Sequence, residues 1–130
     1  MQDAEARIRE LERELDRREA LLIHRAPGTV IWLDESKSGA LGFSFRRPKS
    51  AGKNLLSFVT VLYKHMTIDG FRLVQGKKGS ALLPPSVKAV INGKEGYVDL
   101  ITLSPEYRDA LERDAKEAYR QLVEELKKRR

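Results

Sequence analysis

Apolar residues near the start of the chain recur at the spacing of an amphipathic helix. Within residues 3–25 they follow the alternating three- and four-residue spacing of coiled-coil a and d positions: Ala4, Ile8, Leu11, Leu15 and Leu22. Only about three heptads fit, and Arg18 occupies a d position, so a coiled coil of this helix alone would be marginal. Pro27-Gly28 predicts its end. The stripe therefore needs a surface to pack on: its own β domain, a second copy or another protein.

From position 29 onward the apolar residues form short runs of strand length, separated by glycine, proline and polar residues. This pattern predicts seven strands, at residues 29–33, 41–45, 55–63, 66–74, 80–83, 87–91 and 97–103. The run 55–63 is apolar at both odd and even positions, which predicts a central strand covered on both faces. Asp69-Gly70 predicts a bulge or bend, and Pro84-Pro85 ends a strand because proline cannot donate a ladder hydrogen bond.

A second helix is predicted after Ser104-Pro105-Glu106, which supplies an N-cap hydroxyl, a proline at the first helical position and a carboxylate in the first turn. Its apolar residues share one face as far as about position 127: Tyr107, Leu111, Ala115, Ala118, Leu122 and Leu126. The chain is therefore predicted to be α+β, a small antiparallel β-sheet domain with a C-terminal helix, preceded by an N-terminal amphipathic helix. The predicted units are the N-terminal helix at 1–27 and the α+β domain at 28–127.

Composition excludes several classes of protein. With 41% hydrophobic and 34% charged residues, the 130-residue chain is typical of a folded, soluble protein. No apolar run approaches the roughly 20 residues that span a bilayer, so no membrane association is expected. The charged N-terminus has no apolar signal-peptide core. Cysteine is absent, which removes disulfide and thiolate chemistry and favours a cytoplasmic location.

The net charge of +6 is concentrated in the predicted β region. Residues 26–103 carry eleven basic and five acidic side chains, whereas residues 1–25 carry six and seven, and residues 104–130 carry eight and seven. Between Arg46 and Lys94 there are ten basic residues and one acidic residue, Asp69. A one-sided excess of this kind predicts binding of a polyanion. The alternative is that the cations only keep turns and sheet edges soluble.

Nucleic acid is the polyanion that this pattern favours, because cations at separate turns can reach separate phosphates. The candidate contacts fall in three turns and one strand: Arg46, Arg47, Lys49 and Lys53; Lys77 and Lys78; Lys88 and Lys94; and Arg72. The C-terminal helix interleaves its cations with acids and is a poor candidate for insertion into a groove. Four aromatic residues of the strands are predicted to lie in the core and not to stack on bases: Phe43, Phe45, Phe58 and Phe71.

Enzymatic activity is not predicted. His24 and His65 are 41 positions apart and have no cysteine or clustered carboxylates at metal-ligand spacing. The segment from Gly76 to Gly79 lacks the P-loop pattern, and Ser104 is explained as a helix cap. We therefore expect no cofactor and no metal.

The segment from Met66 to Asp99, MTIDGFRLVQGKKGSALLPPS followed by a short turn and GYVD, resembles the stage V sporulation protein G (SpoVG) family of bacterial regulators. Phe71-Arg72-Leu73-Val74 is similar to a strand of the family, Gly76 and Gly79 to its glycine turn, and Pro85-Ser86 to its M-P-S motif. Tyr97 and Asp99 are similar to the family's later strand, and Arg108 to the start of its helix. Asp69 stands where the family has histidine, and Pro84 where it has methionine. The resemblance covers about two-thirds of the chain, and the first 40 residues have no counterpart in short family members.

The resemblance implies a small α+β dimer that binds DNA or RNA. Our leading hypothesis is therefore a cytoplasmic, homodimeric regulatory protein that binds nucleic acid through basic β-turns. In the alternative, the protein is an interaction adaptor whose N-terminal helix docks on a protein partner, without nucleic-acid binding. Single-strand-binding transcriptional coactivators are similar only at the level of a basic sheet followed by a helix.

Overall fold

A computed structural model describes residues 2–48, 51–52, 54–76 and 79–129 of the chain. In chain order the elements are α1 (Gln2–Ala20), a 3-10 helix (Leu21–Arg25), β1 (Val30–Trp32), β2 (Gly42–Arg46), β3 (Leu55–Leu62), β4 (Thr67–Gly76), β5 (Gly79–Leu83), β6 (Ser86–Ile91), β7 (Lys94–Asp99) and α2 (Pro105–Lys128). The predicted α+β class is confirmed. Within the described ranges, neither α-helix combines the length and apolarity that a membrane span requires.

Five strands form one antiparallel sheet in the order β1-β2-β3-β4-β5, so β3 is central as predicted. The pairing of β3 with β4 slips by one residue at Asp69-Gly70, where Gly70 has a φ of +97°. This confirms the predicted bulge, at a backbone conformation that favours glycine. β6 and β7 form a separate two-stranded ribbon. The last predicted strand, 97–103, is displaced: β7 begins at Lys94, opposite Ile91, and ends at Asp99, opposite the first residue of β6.

α2 packs on one face of the sheet and closes the core. The helix begins as predicted: Ser104 accepts a hydrogen bond from the Tyr107 amide, and Pro105 is the first helical residue. The buried side chains of α2 meet those of the three central strands: Leu111, Ala115, Ala118 and Leu122 from the helix, and Phe43, Phe45, Val59, Val61, Phe71 and Leu73 from the strands. Three of the four phenylalanines predicted to lie in the core are therefore confirmed.

The connection between β1 and β2 is tied to α2 by one buried carboxylate. Asp114 accepts hydrogen bonds from the Lys37 amide, at 3.0 Å to each oxygen, and from the Ser38 amide at 2.8 Å. The Ser38 hydroxyl donates a further bond of 2.6 Å. The same hydroxyl accepts a bond from the Ala40 amide, two residues before β2 begins. Asp114 therefore helps to position β2 on the helix layer.

Among its described side chains, α1 packs on the domain only at its C-terminal end. Ala20 is buried, as are Leu22 and Ile23 of the 3-10 helix, and Glu19 forms an ion pair with Lys127 of α2. Farther toward the N-terminus the apolar stripe is exposed, by 55% at Ile8, 57% at Leu11 and 54% at Leu15. Packing on the chain's own domain thus explains the end of the helix but not the stripe. The two remaining surfaces on which the exposed part of the stripe could pack are a second copy of the chain and another protein.

Candidate nucleic-acid interface

The five-stranded sheet has a second face that α2 does not cover. Side chains of a strand alternate between the two faces, so the neighbours of the buried core residues point away from α2. On β3 this second face carries Phe58, Thr60 and Leu62, all of them half-buried. The prediction that β3 is covered on both faces is therefore wrong for these three residues, because each remains partly exposed to solvent. We call this surface the open face.

A phenylalanine lies between two arginines across the open face. In the register of the sheet, Arg46 of β2 is opposite Phe58 of β3, and Phe58 is opposite Arg72 of β4. The central guanidinium carbon of Arg46 is 5.6 Å from the centre of the Phe58 ring, which is a cation–π contact. The Arg72 guanidinium donates a hydrogen bond of 3.1 Å to the Ser86 hydroxyl. We call Arg46, Phe58 and Arg72 the Arg–Phe–Arg row.

Neither arginine of the row is neutralised by a carboxylate. Among the residues that the structure describes, no Asp or Glu oxygen lies within 4.0 Å of either guanidinium. On α2, by contrast, Arg120 is paired with Glu117 at 2.6 Å and with Glu124 at 3.0 Å. The hydrogen bond from Arg120 lowers the pKa of Glu117 to about 2. The positive charge of the row is therefore available to a phosphate, whereas that of Arg120 is compensated.

A shallow depression of about 200 Å³ lies beside the row. Its lining includes Ser44, Phe58, Thr60 and Asp69. Asp69 faces this depression because the bulge adds one residue to β4 and so reverses the alternation of side chains before Gly70. Its Oδ1 atom accepts hydrogen bonds from Thr60 Oγ1 at 2.7 Å and from the Gly70 amide at 2.8 Å. Its Oδ2 atom accepts none from the described residues, so the depression contains an available acceptor.

Trp32, the only tryptophan of the chain, adds a second aromatic group to the open face. Its side chain is 61% exposed and its ring lies over Gly42, its cross-strand partner in β2. A Cβ atom at position 42 would lie 2.8 Å from Trp32 Cε3 and 3.0 Å from the Ile31 carbonyl oxygen. This close approach therefore requires glycine. Gly42 and Arg46 are four residues apart on β2, so the two aromatic groups are separated by about 13 Å along the strand.

Of the predicted contact residues, the structure brings Arg46 and Arg72 together in the row and places Arg47 elsewhere. Arg47 is 6% exposed, and its Nε atom donates a hydrogen bond of 3.0 Å to the Leu55 carbonyl oxygen. Arg47 therefore ties the end of β2 to the start of β3 and does not face solvent. Four predicted contacts lie outside the described residues: Lys49, Lys53, Lys77 and Lys78.

The remaining predicted contacts, Lys88 and Lys94, lie on the β6–β7 ribbon. Both are exposed, and Lys88 Nζ is 3.3 Å from Glu95 Oε2, so part of its charge is compensated. Lys88 shares its face of the ribbon with Tyr97 and Val90. Lys94 lies on the opposite face, which carries exposed apolar side chains: Val87, Ile91 and Val98. A two-stranded ribbon is only marginally stable in water by itself. Packing of this apolar face against another surface would therefore stabilise the ribbon.

Sequence reasoning missed two members of the site, Phe58 and Asp69. The prediction that Phe58 lies in the core is wrong, because its side chain is half-buried on the open face. The available signal was Thr60, a polar residue two positions farther along and therefore on the same face. Asp69 is missed for a different reason: the bulge was predicted, but its effect on side-chain direction depends on the register with β3.

Comparison of the chain with protein-family models, with curated proteins and with solved structures finds no match. The resemblance to the SpoVG family therefore stays a prediction, based on the motif residues between Met66 and Asp99. The geometry of the open face is what bears on function: two arginines without a carboxylate partner among the described residues, a phenylalanine between them in the strand register, and a carboxylate nearby.

Proposed function

We propose that the protein is a regulatory nucleic-acid-binding protein and that the open face of its sheet is the binding surface. The observation that carries this proposal is the Arg–Phe–Arg row. Its two guanidinium groups have no carboxylate partner among the described residues, and Arg side chains are well suited to bidentate contact with phosphate. Phosphate contacts supply most of the affinity of proteins for nucleic acid, and cations on one surface are what such contacts require.

The wider charge distribution supports the same surface. β2 and β4 run in the same direction in the antiparallel sheet, so their C-terminal ends lie at the same end of it. Arg46 is the last residue of β2, and in sequence Lys49 and Lys53 follow it, while Lys77 and Lys78 follow β4. In sequence, these four lysines therefore follow the two strands that carry Arg46 and Arg72.

The salt dependence of binding tests this proposal. Fluorescence anisotropy would be used to titrate labelled single-stranded DNA, duplex DNA and RNA at several salt concentrations. If Arg46 and Arg72 each contact one phosphate, the double variant R46A/R72A should bind more weakly than the native protein. The plot of its log K against log salt should also be less steep, by about 1.5 in slope. The matched control is R108A/R113A, which removes two exposed arginines from α2. Equal slopes for the two double variants would contradict the proposal.

We also propose that the protein acts as a homodimer, as the resemblance to the SpoVG family implies. The exposed apolar face of the ribbon supports this, because a second copy would cover Val87 and Val98 and bury surface that now faces water. Analytical ultracentrifugation should find a dimer for the native chain and a monomer for V87D/V98D. The control is T102D, at an exposed position of the connection between β7 and α2. A monomeric native protein at high micromolar concentration would contradict the dimer.

A protein-interaction adaptor is the second candidate, and the exposed stripe of α1 favours it. Ile8, Leu11 and Leu15 are each more than half exposed on one side of the helix. The triple variant I8Q/L11Q/L15Q removes the stripe but leaves Ala20, Leu22 and Ile23 to anchor the helix. Under the leading proposal this variant binds nucleic acid like the native chain. Loss of all nucleic-acid binding in it would move the site to α1.

A further inference from the structure

We propose that the depression beside Phe58 is a subsite for one unpaired base that carries an exocyclic amino group, stacked on the Phe58 ring. The ligand class is therefore single-stranded nucleic acid, with cytosine or another amino-bearing base preferred at this position over thymine or uracil. This inference rests on the proposed function and adds to it the state of the strand and the chemistry of one base.

The position of Phe58 requires an unpaired base. The ring is half-buried in the surface of the sheet and is reached only from the open face. In a duplex the faces of the bases are stacked on one another, and proteins reach only the base edges in the grooves. An unpaired base can lie flat on the ring while its own phosphates reach the cations beside it, as in the stacking platforms of single-strand-binding proteins.

The Arg46 guanidinium lies over the Phe58 ring, so a base that stacks on the ring must displace it. The outcome depends on the relative strengths of the cation–π contact and of base stacking. A cation–π contact at an exposed site changes an equilibrium by a factor of about 2 to 5. Stacking of a base on an aromatic side chain contributes a factor of about 5 to 150. The base therefore displaces the guanidinium, and the exposed Arg46 side chain moves to a phosphate. Arg72 is held in place by Ser86 and provides a second, preorganised cation.

The carboxylate of Asp69 selects the base. Its Oδ1 atom already accepts two hydrogen bonds, and its Oδ2 atom is an acceptor to which no described residue donates. An ionised carboxylate has no proton to donate, so the edge of a base that meets it must present an N–H group. Cytosine presents its N4 amino group, where thymine presents the O4 oxygen. Asp69 is the only acid between Arg46 and Lys94. Its negative charge repels the phosphates of a bound strand, and a hydrogen bond from the amino group of a base to Asp69 offsets this repulsion.

The bulge connects this selectivity to the fold. Without the extra residue at Asp69-Gly70, the alternation of β4 would turn Asp69 toward the core and leave Gly70 opposite Thr60 on the open face. A structural role for Asp69 is to hold the bulge through its bond to the Gly70 amide. The variant D69N separates the two roles, because an asparagine keeps one oxygen for Gly70 and Thr60 while its amide nitrogen replaces the available acceptor.

The test compares the affinities of oligodeoxycytidine and oligodeoxythymidine of equal length, because these pyrimidines differ in the group that meets Asp69. The native protein should bind the cytidine strand about tenfold more tightly, the effect of one hydrogen bond to a charged group. D69N should reduce this ratio to about one. F58L, which keeps an apolar side chain without a ring, should weaken binding of both strands by at least about fivefold. F58Y keeps the ring and should restore the native affinity.

The outcomes separate this inference from the proposed function. Equal binding of the two strands by the native protein, or an unchanged ratio in D69N, would overturn the role of Asp69. Native affinity in F58L would overturn the stacking subsite, although loss of affinity in R46A/R72A would then still support nucleic-acid binding. No binding of any strand at low salt would remove the proposed function itself. Circular dichroism and thermal unfolding of each variant would exclude loss of the fold as the cause.

Discussion

Replacement of Asp114 by alanine is expected to destabilise the protein strongly. The carboxylate is 5% exposed and accepts bonds from two backbone amides and one hydroxyl of the β1–β2 connection, at 2.6 to 3.0 Å. These contacts join residues that are 76 and 77 positions apart in the chain. They hold the connection on α2 immediately before β2, the strand that carries Arg46, so a loss of stability here also loosens one side of the Arg–Phe–Arg row.

The expected magnitude follows from the three donors. A hydrogen bond to a charged group contributes about 1.5–3 kcal/mol, and neighbouring bonds do not add fully. In the variant the donors find water in part, and the cost of burying a charge is removed, so we expect a net loss of about 3 kcal/mol. Unfolding entropy is about 2.1 cal/mol/K per residue, or about 0.27 kcal/mol/K for 130 residues. The melting temperature should therefore fall by about 11 °C.

Thermal unfolding followed by far-ultraviolet circular dichroism measures this change. D109A is the matched control, since Asp109 is an exposed carboxylate on the same helix and should leave the melting temperature within about 2 °C of the native value. D114N should resemble D114A more than the native chain, because its amide nitrogen cannot accept the bonds that an oxygen accepts. A shift of less than about 2 °C in D114A would refute the reasoning.

Two further results are expected. G42A should cost about 1–3 kcal/mol and shift the emission of Trp32 to the red, because a methyl group lifts the ring from the sheet; an unchanged emission spectrum would contradict the contact. Bonding to Arg120 lowers the pKa of Glu117 from its ordinary 4.5 to about 2, so the stability that this pair provides is present above about pH 4.5 and is lost as the pH falls toward 2. Since the pair is exposed to solvent, the effect on stability should be small. E117Q should melt below the native chain at about pH 6 and together with it at about pH 2; a gap of equal size at both pH values would argue against the ion pair.

Local signals in the sequence determined the α+β class and the order of the elements. Ser104-Pro105 predicts the start of α2 because capping and the missing proline amide act within one turn of helix. Asp69-Gly70 predicts the bulge because only glycine adopts its backbone conformation without strain. The alternation of buried positions placed Phe43, Phe45 and Phe71 in the core. Each of these features depends on residues close together in the chain, so composition and spacing are enough.

Tertiary structure alone decided which residues form the site. Arg46, Phe58 and Arg72 become neighbours only through the register of three strands, and the side of the sheet on which they lie depends on where α2 packs. Arg47 has the same charge as Arg46, yet its guanidinium donates to a backbone carbonyl, because the next residue along the chain points to the opposite face. A one-residue slip in β4 moves Asp69 from the core side to the open face. Such pairings join distant parts of the chain, and the free energy that selects them comes from burial of the whole core and not from any local pattern.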